Sequence, residues 1–476
     1  MARLSRRRLL VAGGSLAVAT LAAACGATPT AAPAATQAPA ATQAPAATQA
    51  PAATQAQPTA AAATPAAASA GATNIAWWTG WSSTVLGDMA KEMTTVDPSI
   101  TVEWLGGVDQ EKFLTALAGG TPPDAATLGA YPELFSRKRC MPLSDWINAS
   151  TAFDPKDIFD ASWNGAKYEG EIYGLPGIEG FVRWGFCYNV DMVSAAGLDP
   201  KTPPETWDEA YTWHEKITKF DSAGNVTQVG FDPLDAMGSS IGFGDPFFLP
   251  RSWGFAYYDE KAKKFDLDNP SMVEAFATVK RFYDLVGVKK MAAFRQSYGT
   301  WTGPGASFCS NVQAAQINGY WTPGEMATAA PNENISYSWP MVPTPRKGTK
   351  IQSMGGHYVF LPVGSPHPKE AFKFGEYALS TKAADIIYNG LGWLPASKSY
   401  LAKANISKYK GLDWFVKSVD EATELSEVIM DPITQVTANT FSKLMDAVNY
   451  GDKTPQQAAS EMQATLTDEL SKAMAG

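Results

Sequence analysis

The aromatic residues of this chain are the ones whose type and placement suggest chemistry. There are 15 Trp and 17 Tyr, more than core packing needs, and several sit beside glycine or proline rather than inside apolar runs. A sugar ring presents weakly positive C–H faces above and below and a rim of hydroxyls. Flat aromatic platforms, with Asp, Glu, Asn, Arg or backbone groups aimed at that rim, would hold such a ligand. Trp78 and Trp81 flank the exit of a strand that begins at Asn74. Alternation sends Trp77 and Trp78 to opposite faces, so one of them belongs to the core. Trp81, directly after Gly80, is the stronger cleft candidate, with Ser82 beside it. Tyr131 precedes Pro132, Glu179 follows the YGLPG stretch, Trp253 lies in PRSWGF, Trp321 closes INGYW and Trp393 lies in GLGWLP. Half-buried packing competes with ligand contact at each of them. Gly355 and Gly356 would let bare backbone approach a ligand or an opposing segment, and the adjoining His357 reads equally as a contact or as a satisfied loop histidine. Asp124 braces its TPPD turn, while Asp232 and Asp245 are weaker candidates in a Gly/Phe-rich stretch.

The same residue types serve glycoside hydrolysis, which further requires two carboxylates about 5–10 Å apart on rigid elements. No spacing in the chain announces such a pair, and neither a Walker loop nor a G-x-G-x-x-G fingerprint occurs. His214, His357 and His367, without an H-E-x-x-H, give no metal site. The residues read as a binding protein, with no catalytic group, metal or cofactor. Cys140, Cys187 and Cys309 allow one disulfide in any of three pairings, or three buried thiols.

The elements that must position these residues start late in the chain. Arg6, Arg7 and Arg8 stand ahead of an apolar run from Leu9 to Ala24, a signal-peptide pattern with the paired arginines of Tat export. That run is short of the roughly 20 residues that cross a bilayer as a helix. Small residues before Cys25 resemble a bacterial lipobox, although Ala22 occupies the place where Leu is preferred. Residues 1–25 are thus expected to be an export signal ending at a lipidated cysteine. PAATQA repeats dominate residues 26–73, which have too little apolar bulk to offset the entropy of ordering and read as a polyproline-like tether. The formal charge of −9 becomes nearer −13 once the four leader arginines are gone, which disfavours nucleic acid as a partner.

About 400 residues remain, enough for two lobes with their own cores. Asn74–Thr79 reads as a buried strand, Leu86, Met89, Met93 and Val96 as one face of a helix, and Ile100–Leu105 and Ala125–Leu128 as further strands. This alternation specifies a parallel α/β sheet, whose ligand would meet the strand ends at residues 79–83 and 129–132. Thr206 to Glu209 forms a capping box, and Thr454 to Gln457 repeats the device near the C-terminus.

Five blocks resemble the sugar-binding extracellular solute-binding proteins of ABC importers, the family similar to maltose-binding protein. They are ITVEWLGGVDQEKFLTALAGGTPPDAATLG, YGLPG through FCYNVDMVSAAGLDP to PPETWDE, INGYW, GGHYVF and GWLPAS, in the family's order over some 350 residues. The resemblance implies a type II periplasmic-binding fold, two α/β lobes joined by a hinge. It implies lobe 1 from 74–180 plus 309–343 and lobe 2 from 181–308 plus 344–476. It also implies a sugar or oligosaccharide ligand, for which the candidate contacts are Trp78, Trp81, Ser82, Tyr131, Glu179, Trp253, Trp321, Gly355, Gly356, His357 and Trp393. The expected partners are membrane permease subunits, and the protein is expected to act as a monomer tethered by lipid to the outer face of the cytoplasmic membrane. A same-fold receptor for a polyol phosphate, using Arg183 or Arg251, or for another small polar solute is the alternative, beside a secreted glycoside hydrolase.

Overall fold

A computed structural model describes residues 71–241 and 247–475. The export signal, Cys25, the tether up to residue 70 and Asp245 lie outside the described residues. Strand β1 (Thr73–Thr79) buries Ile75, Trp77 and Thr79 on one face and leaves Trp78 half-buried on the other, as alternation requires. Trp77 lies 5.0 Å from the ring of Phe374 and its indole N–H donates to Thr127 Oγ1 at 3.0 Å. The helix Thr84–Val96 follows, burying Leu86, Met89 and Met93. It carries the chain to β2 (Ile100–Leu105), and β3 (Ala125–Thr127) completes a parallel sheet in the order β2-β1-β3. The expected parallel α/β pattern is thereby met.

Strand β4 (Leu175–Glu179) is wholly buried, and residues 180–184 separate it from β5 (Gly185–Asn189). These two neighbours enter different sheets. β5 joins β6 (Lys219–Phe220), β7 (Val226–Ala236), β8 (Gln313–Asn318) and β9 (Ile335–Ser338) in the order β9-β5-β8-β7-β6. β8 runs parallel to β7 and antiparallel to β5. β4 instead pairs antiparallel with β10 (His357–Val359), setting His357 opposite Glu179. Just beyond β10, Phe360 exchanges backbone hydrogen bonds of 2.9 Å with Ala126, which ties the pair to the first sheet.

These pairings correct the expected lobe boundaries. Residues 309–343 contribute β8 and β9 to the sheet of β5 and β7, not to that of β1. The stretch after 344 is split: β10 and the helix Pro368–Ala378 pack on the first sheet, whereas Thr434–Tyr450 and Pro455–Ala475 pack on the helix Pro270–Val286. The reason is physical. β8 is buried on both faces, so it carries no alternation that could name its partner, and pairing rather than local pattern decides its sheet.

Both capping boxes form. Thr206 Oγ1 accepts from Glu209 N at 3.3 Å while the Glu209 carboxylate takes the Thr206 N–H. Thr454 and Gln457 exchange the same bonds at 2.9 and 3.2 Å. Thr206→Ala is expected to cost about 1 kcal/mol of unfolding free energy, read by urea denaturation; an unchanged midpoint would refute the cap's contribution. The three described cysteines are free thiols, with Cys140 and Cys187 buried.

Candidate functional site

Near the junction of β4 and β5 lies a cavity of about 290 Å³, at the small end of small-molecule sites. Trp81, Glu179, Arg183, Trp301, Thr302, Tyr320, Trp321, Glu325, His357 and Trp393 line it. Its floor is built on strands and their ends. Glu179, the last residue of β4, has one carboxylate oxygen 2.6 Å from Arg183 Nη2 and 2.6 Å from His357 Nδ1, and its other oxygen accepts from Tyr320 Oη at 2.7 Å. Burial by itself would raise the Glu179 pKa. The adjacent Arg183 and His357 charges and the hydrogen bonds outweigh it and hold the carboxyl down at about 2. Glu179 is therefore an anion with both oxygens held by protein groups, and it orients its three neighbours.

The walls come from loops. Thr79, at the end of β1, donates to the Trp81 carbonyl at 2.6 Å and so turns the chain that carries Trp81 into the cavity. The Trp81 ring lies 4.0 Å from His357 and 6.2 Å, edge-on, from Trp393. Trp393 follows Gly392, which caps its helix with φ +74°; a Cβ there would meet Gly324 Cα at 2.7 Å. That backbone contact brings the Trp393 loop against the helix Thr322–Ala329, which carries Glu325. Trp321 spreads under the Arg183 guanidinium, 5.3 Å from its ring centre, and folds back over Gly319, where a Cβ would come within 2.2 Å of the indole. Trp301 adopts φ +65°, a left-handed conformation that costs a bulky residue about 1–2 kcal/mol. Its N–H is held at 3.0 Å by Asp235, whose other oxygen accepts from Gln313 at 2.8 Å.

Glu325 is the second carboxyl of the cavity, half-buried in the first turn of its helix and accepting from Thr302. Burial raises its pKa, the Thr302 hydrogen bond and the nearby Trp393 indole N–H only partly counter this, and the result is about 7. A folded pKa above the unfolded value means that the native state binds the extra proton. Stability on this account is full below about pH 4.5 and is lost as the pH rises through 7. Relative to Glu325→Gln, the wild type is expected to lose unfolding free energy between pH 4.5 and 7.5. A pH-independent difference in denaturation midpoint would refute that.

Of the residues expected from sequence, Trp81, Glu179, Trp321, His357 and Trp393 meet in this cavity. The others lie elsewhere. Tyr131 is fully buried against Phe135 and Tyr358 because it opens a short helix instead of a loop. Trp253 is buried and stacks on Trp207, away from the cavity. Trp78 faces Lys112 over a separate surface recess, and Ser82 is exposed. Gly355 and Gly356 approach backbone, not the cavity: Gly355 N donates to Phe181 O at 3.3 Å, and a Cβ on Gly356 would lie 3.0 Å from Glu179 O. Asp124 braces its turn by accepting from Ala76 N and His367 N, each at 2.7 Å, and Asp232 pairs with Arg295. Arg183 belongs to the floor, whereas Arg251 does not line the cavity. Sequence reasoning missed Trp301, Thr302, Tyr320 and Glu325. Tyr320 and Glu325 flank the flagged Trp321 and were within reach; no local pattern distinguishes Trp301.

A family model described as bacterial extracellular solute-binding protein matches residues 90–385. Among solved structures, CpMnBP1 with mannotriose bound is 23% identical with a TM-score of 0.74, covering 83% of this chain and 100% of that one. The substrate-binding protein Lmo0181 from Listeria monocytogenes, in complex with cycloalternan, is 20% identical with a TM-score of 0.69 over 84% and 99% of the two chains. A maltose/maltodextrin-binding domain from Bdellovibrio bacteriovorus, bound to maltotriose, is 19% identical with a TM-score of 0.64 over 84% and 100%. At these identities the likeness establishes the fold, the type II periplasmic-binding architecture with its two α/β lobes and hinge. With the family model spanning more than half of its length, the chain belongs to the bacterial extracellular solute-binding proteins.

Proposed function

We propose that this protein captures a sugar or oligosaccharide between its two lobes and delivers it unchanged to the permease of an ABC importer. The observation that carries the reading is the cavity itself: Trp81, Trp301, Trp321 and Trp393 surround a fixed set of polar groups on Glu179, Arg183 and His357. Indole faces suit C–H faces, and the polar set suits hydroxyls. The three solved relatives named above each hold an oligosaccharide. Pairing supports one lobe around β1–β4 and β10 and another around β5–β9, with the chain crossing after Gly180. Ligand would shift the open form toward the closed one by its preference for the closed state. Family membership makes this an exported protein. The Tat-type leader, lipidation at Cys25 and a monomeric tethered form complete the proposal on the strength of the sequence alone. The polyol-phosphate reading loses support because Arg183 is committed to Glu179.

A second reading has one observation in its favour. Two carboxyls, Glu179 and Glu325, line one cavity, as the nucleophile and acid of a glycosidase do. Against it, both oxygens of Glu179 are taken by protein donors. A thermal-shift panel of mono- and oligosaccharides tests the transport reading, since a ligand at 100 times its Kd adds about 2.7 kcal/mol of stability. At least one sugar is expected to raise Tm without new reducing ends accumulating and with a contracted small-angle scattering profile. Turnover would establish the hydrolase, and a panel with no stabilising sugar would remove the proposal.

A further inference from the structure

Glu325 is a carboxyl in the cavity that forms no ion pair with a basic side chain among the described residues. Its Oε2 accepts from Thr302, and its backbone N–H donates to Trp321 O at 3.0 Å, which places it one helical turn beyond that indole. The remaining charged groups lining the cavity are Glu179, Arg183 and His357. Arg183 and His357 both face Glu179, so among the described residues no basic side chain is paired with Glu325.

An ionised carboxylate set among apolar rings without a counter-charge is costly. Here it shares its cavity with Trp301, Trp321 and Trp393, whose ring faces attract cations, the more so when water is excluded. Trp321 already meets one cation this way, on its Arg183 side. A hydroxylated ligand of zero charge would use the aromatic faces and leave Glu325 without a complement. A ligand with an ammonium group would use both.

We infer, building on the sugar-binding reading, that the preferred ligand is a saccharide bearing an amino group, whose ammonium lies against Glu325 beside the Trp301, Trp321 and Trp393 indoles. Specificity then has two parts. The aromatic faces and the Glu179 floor accept the ring, and Glu325 selects the charge.

The test is calorimetric titration of the full chain at pH 7 with matched pairs: glucose and glucosamine, galactose and galactosamine, mannose and mannosamine, cellobiose and fully deacetylated chitobiose. In at least one pair the amino sugar is expected to bind 10-fold or more tightly than its hydroxyl partner. Glu325→Gln is expected to erase that preference. N-acetylation of the preferred amine, which needs no variant, should abolish the preference in the wild type. Titration in two buffers of different ionisation enthalpy should show the wild type releasing more protons on binding than Glu325→Gln, because the ammonium ionises Glu325. The inference is overturned if the neutral member binds as tightly in every pair, or if the preference survives in Glu325→Gln or after N-acetylation. Neutral sugars binding without amine preference would sink this inference and leave the sugar reading standing. Choline binding in the absence of any saccharide binding would sink both.

Discussion

Glu179→Gln is expected to lower the unfolding free energy by about 3 kcal/mol at pH 7. Two routes give the same size. A carboxyl held at about 2 instead of 4.5 gains about 1.4 kcal/mol per pKa unit from folding. Breaking a buried, hydrogen-bonded ion pair costs about 3–5 kcal/mol by itself. The pH dependence separates this effect from a simple packing defect. Because the folded pKa is depressed, the contribution is fully present above about pH 4.5 and fades as the pH falls toward 2. Urea denaturation of wild type and variant between pH 7 and 3 should therefore show a gap that narrows on acidification. A gap that is constant with pH, or smaller than about 1 kcal/mol at pH 7, would refute the assignment of Glu179 as the anchor of the floor.

The second large effect concerns binding. Trp321→Ala removes a platform from the cavity, and truncating a central aromatic anchor typically costs about 2–4 kcal/mol of binding free energy, or about 30- to 1,000-fold in Kd. Gly319→Ala provides the sharper test. It keeps every cavity side chain but places a methyl where the outer edge of the Trp321 indole lies, 2.2 Å away, so the ring must swing. Sugar affinity is expected to fall about 10-fold with little change in Tm. Unaltered affinity in Gly319→Ala, measured by calorimetry with any sugar that stabilises the wild type, would show that the Trp321 pose does not matter.

Local sequence carries the first sheet almost whole, because β1, its helix and β2 each have a clear period and a clear stop. It also carries both capping boxes. The division between sheets is different. β8 is buried on both faces and β10 is three residues long, so their partners are set by long-range pairing that no local period records. Cavity residues in loops with glycine neighbours, such as Trp81, Trp321 and Trp393, were legible because core packing explains them poorly. Tyr131 misled for the opposite reason. A position ahead of proline reads as a turn, yet proline is also at home in a helix's first turn, and the ring went inward. Trp301 depends on Asp235, 66 residues earlier in the chain, and proximity of that kind is absent from any window of sequence.

The Glu179 network rests on strand ends and their neighbours, whereas the four indoles arrive on segments that start and stop independently around residues 81, 301, 321 and 393. Such an arrangement separates what must be inherited from what can drift. Paralogues could exchange one indole or the Glu325 carboxyl, and so switch nutrients, while the foundation that keeps the molecule folded stays untouched.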